Sequence, residues 1–333
     1  MEYALSSAQL SYRQSLPLEI KVAMTQTRIR KFIDEYGIDG VYISFSGGKD
    51  STVLMDIARK YNGNIPAVFL DTWMEYPQIR KFVKNFSNVE VIKPTMGMKD
   101  IVMQYGWCFP SKDVAEAIWY ARKGSQWAIN KLHGLDKDGK PSQYRQRYIK
   151  WLPLYESDIL ISPYCCIKQK EEPVVLYEKR TGRHPILALM AEESARRKEA
   201  YLRTGCNKFN SDRPLSKPMG FWTEQDVLRY KVLNNIEIAS PYGCVVEAGQ
   251  IPGQISFYDT CGKLQCTGEQ RTGCMFCPIG CHLDGFAKFH RLRNYNKNLY
   301  DFCMEELGEK KLLEWIENNY LKGGTQQNDK NEY

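Results

Sequence analysis

Ser46-Gly47-Gly48-Lys49-Asp50-Ser51 puts paired glycines, two hydroxyls, a cation and a carboxylate into one short run. Adjacent glycines let the main chain fold until several N–H groups aim at one point, and a helix beginning there adds its positive end. The product is a cradle for an anion such as a pyrophosphate. Lys49 contributes a mobile cation, and Ser46 and Ser51 contribute hydroxyl donors. Asp50 is out of place among phosphate ligands and reads as a helix cap or as a contact to bound Mg²⁺. The loop is not a Walker A motif, which needs Gly at position 43 and Ser or Thr directly after the lysine; the chain has Ile43 and Asp50 there.

The second chemical signal is thiol. Cys165-Cys166 forms an adjacent pair and Cys274-Met275-Phe276-Cys277 a two-thiolate claw, within a chain of eleven cysteines. Neighbouring cysteines cannot readily share one tetrahedral Zn²⁺, but they can reach different irons of a cubane, so the four thiols favour a [4Fe–4S] cluster if the fold unites the pairs. Cys261, Cys266, Cys274 and Cys277 offer the alternative of a zinc knuckle. Cys281 is a candidate replacement ligand, whereas Cys108, Cys206, Cys244 and Cys303 lack partner spacing and read as packing residues. His133, His184, His282 and His290 are scattered, and only His282 lies near the claw.

Charge is concentrated. The chain carries +7, and residues 118–151 account for +6 of it while also holding Trp119, Tyr120, Trp127, Tyr144, Tyr148 and Trp151. Such a mixture suits a phosphate backbone with unstacked bases, and it equally suits a basic helical hairpin whose aromatics are core. No apolar run is long enough to span a bilayer and no signal-peptide pattern opens the chain, so a cytoplasmic protein with reduced or metal-bound thiols is expected.

These groups need positioning. The pattern predicts a helix over Ile20 to Tyr36, a strand at Val41 to Phe45, a helix from the glycine loop to Tyr61, a strand at Ala67 to Asp71, a helix around Pro77 to Phe86, and a strand at Val89 to Ile92. This is βαβαβ with apolar strands, hence a doubly wound, mainly parallel α/β sheet with ligands beyond the strands' carboxyl ends, where Ser46 and Asp71 fall. A further strand is predicted at Ile186 to Met190, followed by a helical turn from Ala191, and Thr223 with Asp226 has a capping-box-like spacing. The expected domains are a nucleotide-binding α/β domain over 1–240 with the basic insertion 118–151, a Cys-rich and helical module over 241–322, and a disordered tail over 323–333.

Ile43 to Ser51 resembles the PP-loop of the adenine nucleotide alpha-hydrolase superfamily, whose members cut ATP between its α and β phosphates. Cys165-Cys166-Ile167-Lys168-Gln169-Lys170, with Pro173 and Leu176, is similar to the double-cysteine segment of the phosphoadenosine phosphosulfate (PAPS) reductase family, in which a distant C-x-x-C completes a [4Fe–4S] site. Phe221 to Val227 is similar to that family's helix-start motif. The resemblance implies an adenine nucleotide on Ser44, Phe45, Ser46, Gly47, Gly48, Lys49, Asp50, Ser51, Asp71, Glu192 and Ser194. It implies catalytic work by Lys49, Asp50 and Arg197, Mg²⁺, and cluster ligation by Cys165, Cys166, Cys274 and Cys277. The family's reductases use a cysteine in a carboxy-terminal tail, which Lys322 to Tyr333 lacks, and they have an altered phosphate loop, which is intact here. The implied function is therefore ATP-consuming adenylation in sulfur transfer, to a nucleic-acid or small-molecule acceptor and with a sulfur donor protein. Sulfonucleotide reduction with an external thiol and a non-catalytic nucleic-acid-binding module are the alternatives.

Overall fold

The computed structural model describes residues 4–248 and 262–321. The chain divides into two compact units, one of residues 1–93 with 174–273 and one of residues 94–173 with 274–333. The division departs from the expected boundary at 240. The Gln225 amide holds both main-chain groups of Leu264, at 2.9 and 2.8 Å, and so keeps the segment up to Gly273 with the nucleotide loop. Cys261 and the expected tail 323–333 lie outside the described residues.

The first unit is a six-stranded sheet. Its strands are β1 (Val41–Ser44), β2 (Ala67–Leu70), β3 (Val89–Ile92), β4 (His184–Ile186), β5 (Asn207–Lys208) and β6 (Leu215–Ser216), in the order β3-β2-β1-β4-β6-β5. All neighbours are parallel except β5 against β6. This is the expected doubly wound α/β sheet. The helices Leu18–Tyr36 and Lys49–Tyr61 supply Ile29, Phe32, Val53, Leu54 and Ile57 to its core. Strand order reverses at β1, and β1 runs directly into the glycine loop, so the loop sits at the topological switch point where such sheets bind ligands.

β4 is shifted from the predicted Ile186 to Met190. Its pairing with β1 begins at His184, opposite Val41, and its only partner on β6 is Ser216, so the ladder stops at Ile186 although the apolar run continues. The capping box is present: the Asp226 carboxylate accepts from Thr223 N at 2.7 Å, and Thr223 Oγ1 accepts from Asp226 N at 3.2 Å. Lys21 Nζ reaches the same carboxylate at 2.7 Å in a nearly sealed pair. A two-stranded hairpin, β7 (Val245–Glu247) with β8 (Leu264–Cys266), completes this unit.

The second unit is helical. The predicted helical segment Asn296 to Tyr320 appears as Lys297–Asp301 and Glu309–Ile316 with wider turns after each. Its interior is aromatic: Trp151 stacks on Tyr320 at 5.0 Å and stands edge-on to Phe109 and His282. Among the described residues no helix is long and apolar enough to cross a membrane.

Candidate nucleotide site and thiol cluster

The loop is built by its own hydroxyls. Ser46 Oγ lies 3.0 Å from Ser51 Oγ and accepts from Gly48 N at 3.3 Å, while Ser51 and Thr52 hydroxyls donate to Gly48 O at 3.0 and 2.9 Å. Gly47 has φ +69°, and a Cβ there would stand 2.8 Å from Ile79 and 2.9 Å from Val83. Only glycine fits both the backbone and the space.

Lys49 is 3% exposed. Its ammonium meets Glu224 at 3.0 Å, donates to Gln270 O at 2.9 Å, approaches Asp50 at 3.8 Å and lies 5.6 Å from the centre of the Tyr242 ring. Burial works against its charge, but Asp50 and Glu224 prevail and its pKa is raised. Burial and Glu224 raise Asp50 as well, against the pull of Lys49, Arg271 and Arg197. Arg197 is lowered by burial and by the nearby Arg271. The candidate site therefore gathers Lys49, Arg197 and Arg271 about Asp50, with Glu224 on Lys49.

Sequence reading located Lys49, Asp50 and Arg197, and the fold brings them together. It missed Glu224, Tyr242, Gln270, Arg271 and Thr272. Tyr242 Oη is 2.6 Å from Thr272 Oγ1, and a Cβ on Gly48 would stand 3.1 Å from that same tyrosine oxygen. The only local signal was the run of polar residues before Gly273.

Other expected nucleotide residues serve as supports. Phe45 is buried edge-on to Phe86, so its side chain belongs to the core, while Ser44 closes β1 half-buried. The Asp71 carboxylate is taken by Arg80, with contacts at 2.9 and 3.0 Å, and Arg80 stacks 3.6 Å from the Trp73 ring. The expected Mg²⁺ or adenosine contact at Asp71 would have to displace that arginine. A cavity of about 440 Å³ opens beside Asp71 and Arg80, walled by Phe69, Val83 and Phe86. Glu192 accepts from Glu224 N at 2.6 Å and caps that helix. Ser194 caps the helix Ala195–Thr204 by accepting from Arg197 N at 3.2 Å, and Glu193 pairs with Arg197.

In the second unit the two cysteine pairs converge. Cys165 feels Cys166, Cys274 and Cys277, and Cys277 feels Cys274 and Cys166. Hydrogen bonds from Cys108 and Cys165 hold the Cys166 thiolate well below the ordinary thiol range, while its hydrogen bond to Cys166 and burial push Cys108 up. Cys108 is buried beside Cys166. The main chain of Trp107 pairs with Leu160 and Ser162, N to O and O to N, at 3.0 Å each, which sets Cys108 beside the double cysteine. The claw closes on itself through Cys277 N to Cys274 O at 3.3 Å. Among the described residues no three His, Cys, Asp or Glu side chains are arranged to hold a single metal ion. Cys266, required by the zinc alternative, is buried on β8 in the other unit.

The basic stretch splits by role. The Arg122 guanidinium donates to the carbonyls of Leu154, Tyr155, Ser157 and Ile159, and Tyr148 and Lys131 both bind Asp113, at 2.6 and 2.7 Å. Tyr148 and Trp151 are buried. Trp127, Tyr144, Lys123, Lys137, Lys140, Arg145 and Arg147 are exposed.

Residues 40–107 match the model of the phosphoadenosine phosphosulfate reductase domain. No curated protein matches the chain. Among solved structures, PAPS reductase from Candida auris is similar over 71% of this chain and 91% of that one, with 15% identity and a TM-score of 0.38. FMN adenylyltransferase from Candida glabrata is similar over 70% of this chain at 11% identity and a TM-score of 0.39, and the chain spans 64% of its length. The same enzyme in complex with ATP gives 10% identity and a TM-score of 0.39. The span matched by the phosphoadenosine phosphosulfate reductase domain takes in β1, the glycine loop, β2 and β3, so the likeness lies in the part of the sheet that carries the loop.

Proposed function

We propose that the protein binds ATP on Ser46 to Ser51 and transfers its adenylyl group to an acceptor in a sulfur-transfer reaction. An acceptor oxygen attacks the α-phosphorus, the bond from that phosphorus to the bridging oxygen breaks, and pyrophosphate leaves with the electron pair. Lys49, Arg197 and Arg271 would stabilise the charge that develops on the phosphates, so catalysis is mainly electrostatic and positional. The observation that carries this reading is their convergence on an intact glycine loop at the switch point.

Asp50 Oδ1 is buried without a hydrogen bond and lies 3.8 Å from the Lys49 ammonium, so Asp50 is the carboxylate at the loop that could meet a divalent cation. Mg²⁺ bound there would neutralise phosphate charge. Cys165, Cys166, Cys274 and Cys277, whose charges influence one another, are the thiols that would hold a [4Fe–4S] cluster. Such a cluster would supply a site for holding or passing sulfur. The exposed aromatic and basic residues between Lys123 and Arg147 support a nucleic-acid acceptor.

Pyrophosphate release from ATP, measured with and without RNA and single-stranded DNA, tests the reading, and full activity in Lys49→Ala would overturn it. The family match favours one competitor, reduction of a sulfonucleotide with a thiol from another protein. Sulfite formed from PAPS with thioredoxin, together with no ATP turnover, would select that reaction instead.

A further inference from the structure

A second cationic site lies on the nucleotide-binding unit, beside its N-terminal helix Ser7–Ser15 and the edge strand β5. A cavity of about 340 Å³ is lined there by Arg13, Arg28, Lys31 and Cys206, and no carboxylate lines it. Among the described residues none of the three cations forms an ion pair. Their contacts are neutral: Arg13 donates to Tyr201 Oη at 3.0 Å, and Arg28 donates to Met24 O at 2.7 Å while lying 4.9 Å over the Phe221 ring. Asn207 Nδ2 donates to Arg28 O at 2.9 Å and ties the helix Leu18–Tyr36 to β5.

Three cations around one concavity without a counter-charge repel one another, and a bound anion relieves that repulsion. Guanidinium groups present forked N–H donors that match the oxygens of a phosphate or sulfate. The cavity exceeds the volume of one such group, and Leu5 and Phe209 give it apolar wall for an attached organic body. Cys206 does not compete as an anion: burial raises its thiol, and the pull of Arg28, Tyr201 and Arg13 does not reverse that.

We propose that this cavity binds a small organic molecule by its phosphate or sulfate group, gripped by Arg13, Arg28 and Lys31. The site is separate from the glycine loop in residues and needs none of the chemistry assigned there.

The test is calorimetric titration with phenyl phosphate and with phenyl sulfate. Every protein carries Lys49→Ala, so that the glycine loop contributes equally and minimally. Arg28→Gln and Arg13→Gln should each weaken binding by roughly tenfold or more, the loss expected for a charge-assisted hydrogen bond, and Arg28→Lys should lose less. Lys31→Glu, at an exposed helix position, keeps the test valid if either arginine variant fails to fold, and it too should lose affinity. The better of the two probes identifies the group recognised. Equal affinity across all variants, or no binding of either probe to the parent, overturns the proposal.

Discussion

Lys49 and Glu224 form an ion pair of 3.0 Å in which the lysine side chain is only 4% exposed and the glutamate 44%. A phosphate that uses this ammonium must therefore compete with a carboxylate that can swing into water. Glu224→Gln should tighten ATP binding about threefold, the modest effect of a half-exposed pair, and titration of ATP against both proteins measures it. Weaker binding in the variant would mean that Glu224 instead orders the lysine for phosphate.

Gly47→Ala places a methyl group against Ile79 and Val83 at a positive φ. Steric overlap and backbone strain together should cost about 1–3 kcal/mol, read as a lower urea midpoint, with loss of ATP binding.

Glu309 is wholly buried, and neither carboxylate oxygen has a hydrogen-bond partner. Burial raises its pKa well above the 4.5 of a free glutamate, against an opposing pull from Lys288. Above that free value the unfolded chain gives up this proton while the folded chain retains it, so the folded state loses relative stability as pH climbs toward the folded pKa. Glu309→Gln removes this one contribution. Urea unfolding at pH 5 and pH 8 should show the variant gaining on the parent at the higher pH, and a difference independent of pH contradicts the assignment.

Anaerobically purified protein should absorb broadly in the blue. Cys166→Ala or Cys277→Ala should abolish that absorbance together with bound iron and sulfide. Cys108→Ala should retain the iron, because Cys108 is not among the four proposed ligands and neighbours Cys166 instead. A colourless parent containing zinc would refute the cluster.

Within the basic stretch, Trp127→Ala should weaken single-stranded nucleic-acid binding by roughly tenfold, as loss of one stacking platform does, without changing stability. Arg122→Ala should do the reverse, since its guanidinium satisfies four carbonyls of the chain. Fluorescence anisotropy and thermal melting of both variants separate the two effects.

The glycine loop and the first three strands were legible in the sequence because their signals are local: paired glycines, apolar runs and a helix start. β4 was misplaced because strand ends depend on what lies alongside, and beyond Ile186 the neighbouring strand has ended. Glu224 and Gln270 reach Lys49 from 175 and 221 positions away, so no spacing rule could announce them. The nearness of the double cysteine to the claw was not legible, because 107 residues separate Cys166 from Cys274 and only the fold sets them together.

Glu224 and Gln225 are consecutive in one helical turn, the first holding Lys49 and the second holding both main-chain groups of Leu264. One turn thus supports both the lysine of the glycine loop and strand β8, two places 215 positions apart in the chain.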